Sequence, residues 1–148
     1  MAHRFLLDVM LGKLATYLRM CGYDTLYALE EGIEADDAVR KRAESTDRTV
    51  VTRDRELAAQ TDDAILLASR DIEHQLAELH DQGIEIELPT EPERCSVCNG
   101  YVKSIDPNQR PEHAPGSVSL WQCVNCDQYF WKGSHWDRVQ ETIATIPL

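Results

Sequence analysis

The sequence is short of cations. Its 148 residues carry fifteen Lys and Arg against twenty-six Asp and Glu, a formal charge of −11, and only four of the cations are lysines. That balance excludes a nucleic-acid binder that relies on bulk electrostatics, so any such binding must use a local basic patch. No run of eighteen apolar residues is present, and the N-terminus lacks the basic, apolar and small-residue segments of a signal peptide. A membrane-spanning or exported protein is therefore not expected, and a cytoplasmic one is. Internal repeats and low-complexity tracts are also missing. Aromatic residues make up only 7% of the chain, and all three Trp lie beyond residue 94.

The acidic residues divide evenly into thirteen Asp and thirteen Glu, beside eleven Arg. This pattern fits a halophilic protein in a salty cytoplasm, where screening over a few Å would remove repulsion from a nucleic acid. It fits an ordinary acidic cytosolic protein equally well. Five cysteines are an odd number, and four of them form two close pairs. In a reducing compartment that arrangement favours metal over disulfides.

Strands and helices alternate along the first ninety residues. Residues 4–8 read as a buried strand ending in Asp8. Leu11, Leu14, Ala15 and Leu18 recur at helical spacing before Gly22, which stands where a C-terminal cap belongs. A second strand follows over 23–28, and then an acidic loop. Asp36 or Asp37 opens the next helix, which carries Val39 and Ala43. Residues 49–52 make a third strand, followed by Arg53, Asp54 and a short helix; residues 64–68 make a fourth. Asp71 starts a helix that Gly83 ends, and Ile84, Ile86 and Leu88 alternate with Glu85 and Glu87 as in an edge strand. The rhythm predicts an α/β domain with a mainly parallel sheet covered on both faces, spanning residues 1–90. Pro-Thr-Glu-Pro-Glu at 89–93 marks a linker. Residues 91–148 are expected to form a small β-rich zinc ribbon and a C-terminal tail.

Cys95-Ser-Val-Cys98 and Cys123-Val-Asn-Cys126 are two knuckles separated by 24 residues. Two such knuckles on facing hairpins supply four sulfurs at about 2.3 Å from a tetrahedral zinc. Iron suits the same spacing, because spacing does not choose the metal. A closed four-sulfur site leaves no open position, so the metal is expected to be structural and any chemistry to lie elsewhere. Cys21, alone on the first helix, reads as a core residue.

In an open parallel sheet, ligands gather at the carboxyl ends of the strands. Asp8 and Asp54 both follow strands, and a helix N-terminus at the same edge would add Asp36 or Asp37. Converging carboxylates repel one another unless a cation sits among them, and hard oxygen ligands suit Mg²⁺ or Mn²⁺. Each acid also has a plain structural use, as a helix cap or as an acceptor for loop amides.

The stretches LLDVMLGKLATYLRMCGYDTLYA, DDAVRKRA followed by TVVTRDREL, CSVCNG, and CVNCDQYFWKGSHW resemble, in order and spacing, the Mut-7 C-terminal RNase-like family, PIN-like domains with an attached zinc ribbon. The resemblance covers nearly the whole chain. It implies a PIN-like three-layer domain and a metal-dependent ribonuclease. Asp8 then matches the acid after the first strand and Asp54 the late acid of Thr-Arg-Asp. The helix-opening acid is Asp36 by its seven-residue step to Ala43, with Asp37 the near alternative. These acids would hold Mg²⁺ or Mn²⁺ for hydrolysis of an RNA phosphodiester. PIN nucleases usually carry a fourth acid between the first two, and none is identified here.

Arg53 and Arg55 flank Asp54 and are candidates to hold phosphate. In the ribbon, Trp131, Lys132, His135 and Trp136 combine stacking faces with a cation, as contacts to single-stranded RNA require; the tryptophans serve equally to cover a ribbon too small for its own core. The main rival is an RNA- or ribosome-binding factor that keeps the PIN-like shape without cleavage. A haloacid-dehalogenase phosphatase does not fit, because Asp8 is followed by Val9 and Met10 with no second acid two places on. A toxin module is compatible with the fold, but the ribbon argues for a more elaborated role.

Overall fold

A computed structural model describes residues 3–114, 116 and 118–146. Four strands, β1 (Arg4–Leu7), β2 (Asp24–Tyr27), β3 (Thr49–Thr52) and β4 (Ala64–Leu66), form a parallel sheet in the order β2-β1-β3-β4. The helices between them are α1 (Gly12–Met20), α2 (Asp36–Thr46) and α3 (Arg55–Gln60), and α4 (Ile72–Asp81) follows β4. Side chains alternate across the strands and divide the core in two. Phe5, Leu7 and Val51 face α1 and α4, where Leu14, Leu18, Leu76 and Leu79 meet them. Leu6 and Val50 face Val39 and Ala43 of α2 and Leu57 of α3. This is the expected α/β layering, with helices on both faces of a parallel sheet.

Helices α1 and α4 end where the sequence predicted, with Gly22 and Gly83 at φ +94° and +89°. Tyr23 N–H returns to the Leu18 carbonyl and Ile84 N–H to that of Leu79, which satisfies carbonyls left open at the helix ends. Helix α2 opens at Asp36, as expected, but without a capping side chain. Its N-cap is Ala35, and neither Asp36 nor Asp37 accepts a capping bond; both are already inside the first turn.

Residues 84–88 differ from expectation, since they form no strand. Their alternation reports one-sided packing, which needs no ladder: Ile84, Ile86 and Leu88 lean on the cluster of Phe5 and Leu76. The Tyr23 hydroxyl donates to the Glu85 carbonyl at 2.6 Å, anchoring the segment over the end of α1.

A second, antiparallel sheet of β5 (Val102–Ser104), β6 (Trp121–Cys123) and β7 (Tyr129–Phe130) carries the cysteine knuckles. Beyond it, α5 (Ser134–Ala144) packs against α4 and inserts Trp136 and Val139 into the core formed with β1, α1 and α4. No helix among the described residues is long and apolar enough to cross a membrane.

The ribbon is fixed to the sheet by polar contacts. Asn99, at φ +72° beside the first knuckle, accepts from Thr25 N–H at 2.8 Å and donates to Asp24 at 2.7 Å. The buried Arg19 guanidinium donates to the carbonyls of Thr25, Ser96 and Val97. Asp24 also receives Arg48 at 2.7 Å.

Candidate active site and metal centre

The order β2-β1-β3-β4 places the switch in winding direction between β1 and β3, where open parallel sheets form their ligand crevice. Asp8 follows β1 there and is 4% exposed. One of its oxygens accepts from Val9 N–H at 2.8 Å and the other from the Thr52 hydroxyl at 2.7 Å. The Thr52 oxygen in turn accepts from Asp54 N–H at 3.0 Å. One threonine therefore couples the ends of β1 and β3, fixing both acid positions.

Asp54 caps α3, with one oxygen accepting from Glu56 and Leu57 N–H. Asp36, in the first turn of α2, has its carboxyl raised above the usual range. Desolvation is the largest cause, followed by the negative charges of Asp54, Asp8, Glu56 and Asp37. Among the acids whose charge Asp36 feels, Glu56 is one that sequence reasoning missed. The signal for it was the repeat of an acid two places after Asp54. Asp37 differs from its neighbour: it is exposed and paired with Arg40 at 3.2 Å. Among the described residues, Asp8, Asp36, Asp54 and Glu56 have no salt-bridge partner.

These carboxylates do not converge. Among the described residues, the four cysteines are the only group of three or more His, Cys, Asp or Glu near enough to share a metal ion, with ligand atoms all within 4.8 Å of one another. A single ion gripped by three acids together is not the arrangement here. The donor set still fits Mg²⁺, which keeps several waters and is usually bound by one or two carboxylates plus substrate phosphates. Arg53 is half-buried, with its Nε lacking a partner among the described residues, and Arg55 is exposed.

The cysteines pass a stricter test. Four ligands around a tetrahedral zinc stand roughly 3.8 Å apart. Cys95 and Cys126 are 3.6 Å apart at sulfur, and Cys98 and Cys123 are 3.4 Å apart. Cys98 N–H points at the Cys95 sulfur, and Asn125 and Cys126 N–H at that of Cys123, all at 3.4 Å. Burial pushes the Cys95 thiol up to about 12. Gly100 leaves room for this packing: a Cβ there would stand 3.0 Å from the Cys123 sulfur.

Residues 3–143 match the family model described as the Mut7-C RNAse domain. The chain belongs to that family. No curated protein and no solved structure matches it. Within this Mut7-C fold, the remaining candidates take different positions. Lys132 donates to the Thr90 carbonyl and lies 5.4 Å over the Trp136 ring, so its ammonium is engaged within the protein. Trp136 is buried in the core cluster, whereas Trp131 is half-buried and His135 exposed.

Proposed function

We propose that this Mut7-C chain is a metal-dependent ribonuclease whose chemistry lies at the β1–β3 crevice. The observation that carries the reading is that Asp8 and Asp54 stand at the ends of β1 and β3, tied through Thr52 at the switch point of the sheet, with Asp36 and Glu56 adding like charge and none of the four paired with a cation of the protein's own. Such crowding costs stability, and it is relieved when a divalent ion binds. Asp8, oriented by Thr52, together with Asp36 and Asp54 would hold the ion. Glu56 follows Asp54 and so does not match the fourth acid that PIN nucleases carry between the first two; it is a further candidate ligand. A bound Mg²⁺ or Mn²⁺ supplies Lewis acidity, lowering the pKa of water and neutralising charge on the phosphate. The protein's part is to hold the ligands, to take up a proton at a carboxylate such as Asp36, and to steady phosphate with Arg53. Zinc at the four cysteines is structural.

Labelled single-stranded RNA given to the zinc-loaded protein is expected to be cleaved with Mg²⁺ or Mn²⁺ and not without them. Asp8→Asn should lower the rate at least a hundredfold, about 2.7 kcal/mol. Binding without metal-dependent cleavage would refute the reading. It would favour the second one, an RNA-binding factor that retains the shape, for which the lack of carboxylate convergence already speaks.

A further inference from the structure

A cavity of about 320 Å³ opens where the end of α1, the first cysteine knuckle, β7 and the start of α5 meet. Its lining includes Met20 and Val97, the aromatic rings of Trp131 and Trp136, and the polar side chains of Arg94 and His135. Its size is that of a small-ligand site, and its aromatic walls suit a flat, planar group. Arg94 is already committed, donating to the Asn99 carbonyl and lying 4.2 Å over the Tyr101 ring, so it is a fixed wall.

His135 also lines a second depression, a groove of about 550 Å³ between α1 and α5 that contains Lys13, Arg138 and Glu141. The two hollows are therefore neighbours. Lys13, His135 and Arg138 have no salt-bridge partner among the described residues. Three uncommitted basic side chains against one acid is an unusual local balance in a chain of net charge −11. Lys13 stands in the first turn of α1, just past the turn in which Leu11 N–H returns to the Asp8 carbonyl. The groove therefore begins on the helix that follows Asp8 and shares His135 with the aromatic cavity.

We infer that the cavity receives one unpaired base of a single-stranded RNA, stacked on Trp131, while Lys13, Arg138 and His135 in the groove bind the phosphates beside it. The strand then lies with a scissile phosphate at the carboxylates and a base anchored at the ribbon. The assignment rests on the ribonuclease reading for its ligand, and it makes the metal-stapled knuckle a wall of the binding site. Both requirements of single-strand recognition are met, a stacking face and a cationic track.

Fluorescence titration of the zinc-loaded full chain with a short labelled single-stranded RNA, without Mg²⁺ or Mn²⁺, tests it. Trp131→Ala should weaken binding about tenfold or more, and Trp131→Phe should restore most of it. The double variant Lys13→Glu with Arg138→Glu should flatten the dependence of log affinity on log salt by roughly 0.7 for each phosphate that is no longer neutralised. An RNA duplex of the same sequence, whose bases cannot enter the cavity, should bind more weakly. Unchanged affinity in Trp131→Ala, an unchanged salt slope in the double variant, or equal binding of the duplex would each overturn the assignment. Because no divalent ion is present, the outcome is separate from cleavage. A chain that binds in this way but never cleaves would refute the nuclease reading and leave the base pocket standing.

Discussion

Asp24 lies far from the chemistry, yet it holds the most heavily used carboxylate in the structure. Desolvation works against its charge, but hydrogen bonds from Arg48 and Asn99 and the charges of Arg48 and Arg94 outweigh it and bring its pKa down to about 2. A depressed folded pKa stabilises the protein above the ordinary carboxylate value of roughly 4, and that stabilisation is lost as pH falls through the folded value. Denaturation between pH 5 and 2 should therefore be less steep in Asp24→Asn. Its stability at pH 7 should be lower by about 1 kcal/mol, the full linkage value being reduced by solvent screening of a partly exposed carboxylate. Equal acid sensitivity would contradict the role. Gly100→Ala should weaken zinc roughly tenfold in a chelator competition, because the added Cβ presses on the Cys123 sulfur and Asn125. The close grouping of the four cysteines was legible in the sequence from their spacing, and the edge positions of Asp8 and Asp54 from their places after strands. The contacts of Asn99 with Asp24 and Thr25, and of Arg19 with Ser96 and Val97, were not, since these partners lie more than seventy residues away and meet only in the fold.

At the scale of elements, the chain couples its two sheets. The Cys95–Cys98 knuckle is held by Arg19 and Asn99, and α5 leaves the ribbon to place Trp136 and Val139 in the core of α1 and α4. Periodicity was enough to read β1 to β4 and α1 to α4. It failed at residues 84–88, where an alternating pattern records burial of one face and carries no information about hydrogen-bonding partners. It was also silent about α5, whose apolar residues Trp136, Val139 and Ile143 are too few to mark more than a tail until the core they enter is known. Removing the metal with a chelator should unfold the ribbon sheet and shift the tryptophan fluorescence, because Trp121, Trp131 and Trp136 all lie in or beside it. The parallel sheet should keep its far-ultraviolet signal, with a lower melting temperature. An unaltered tryptophan spectrum after zinc loss would contradict a structural metal.

Seen as a whole molecule, the protein carries its acids in two different states. Asp24 and Asp37 are neutralised by arginines, whereas Asp8, Asp36, Asp54 and Glu56 are left unpaired around the crevice where the parallel sheet reverses its winding. Composition alone could not separate these groups, and what distinguishes Asp37 from Asp36 is its pairing with Arg40. Membership of the Mut7-C family gives the fold a nuclease-like setting. Whether the unpaired set holds a divalent ion is the central question. Titration of the zinc-loaded chain with Mn²⁺, followed by electron paramagnetic resonance, addresses it directly. The wild type and Asp37→Asn should bind Mn²⁺ alike, and Asp8→Asn and Asp36→Asn should each weaken it at least tenfold. Mn²⁺ binding that is indifferent to Asp8 and Asp36, or absent from the wild type, would contradict the account.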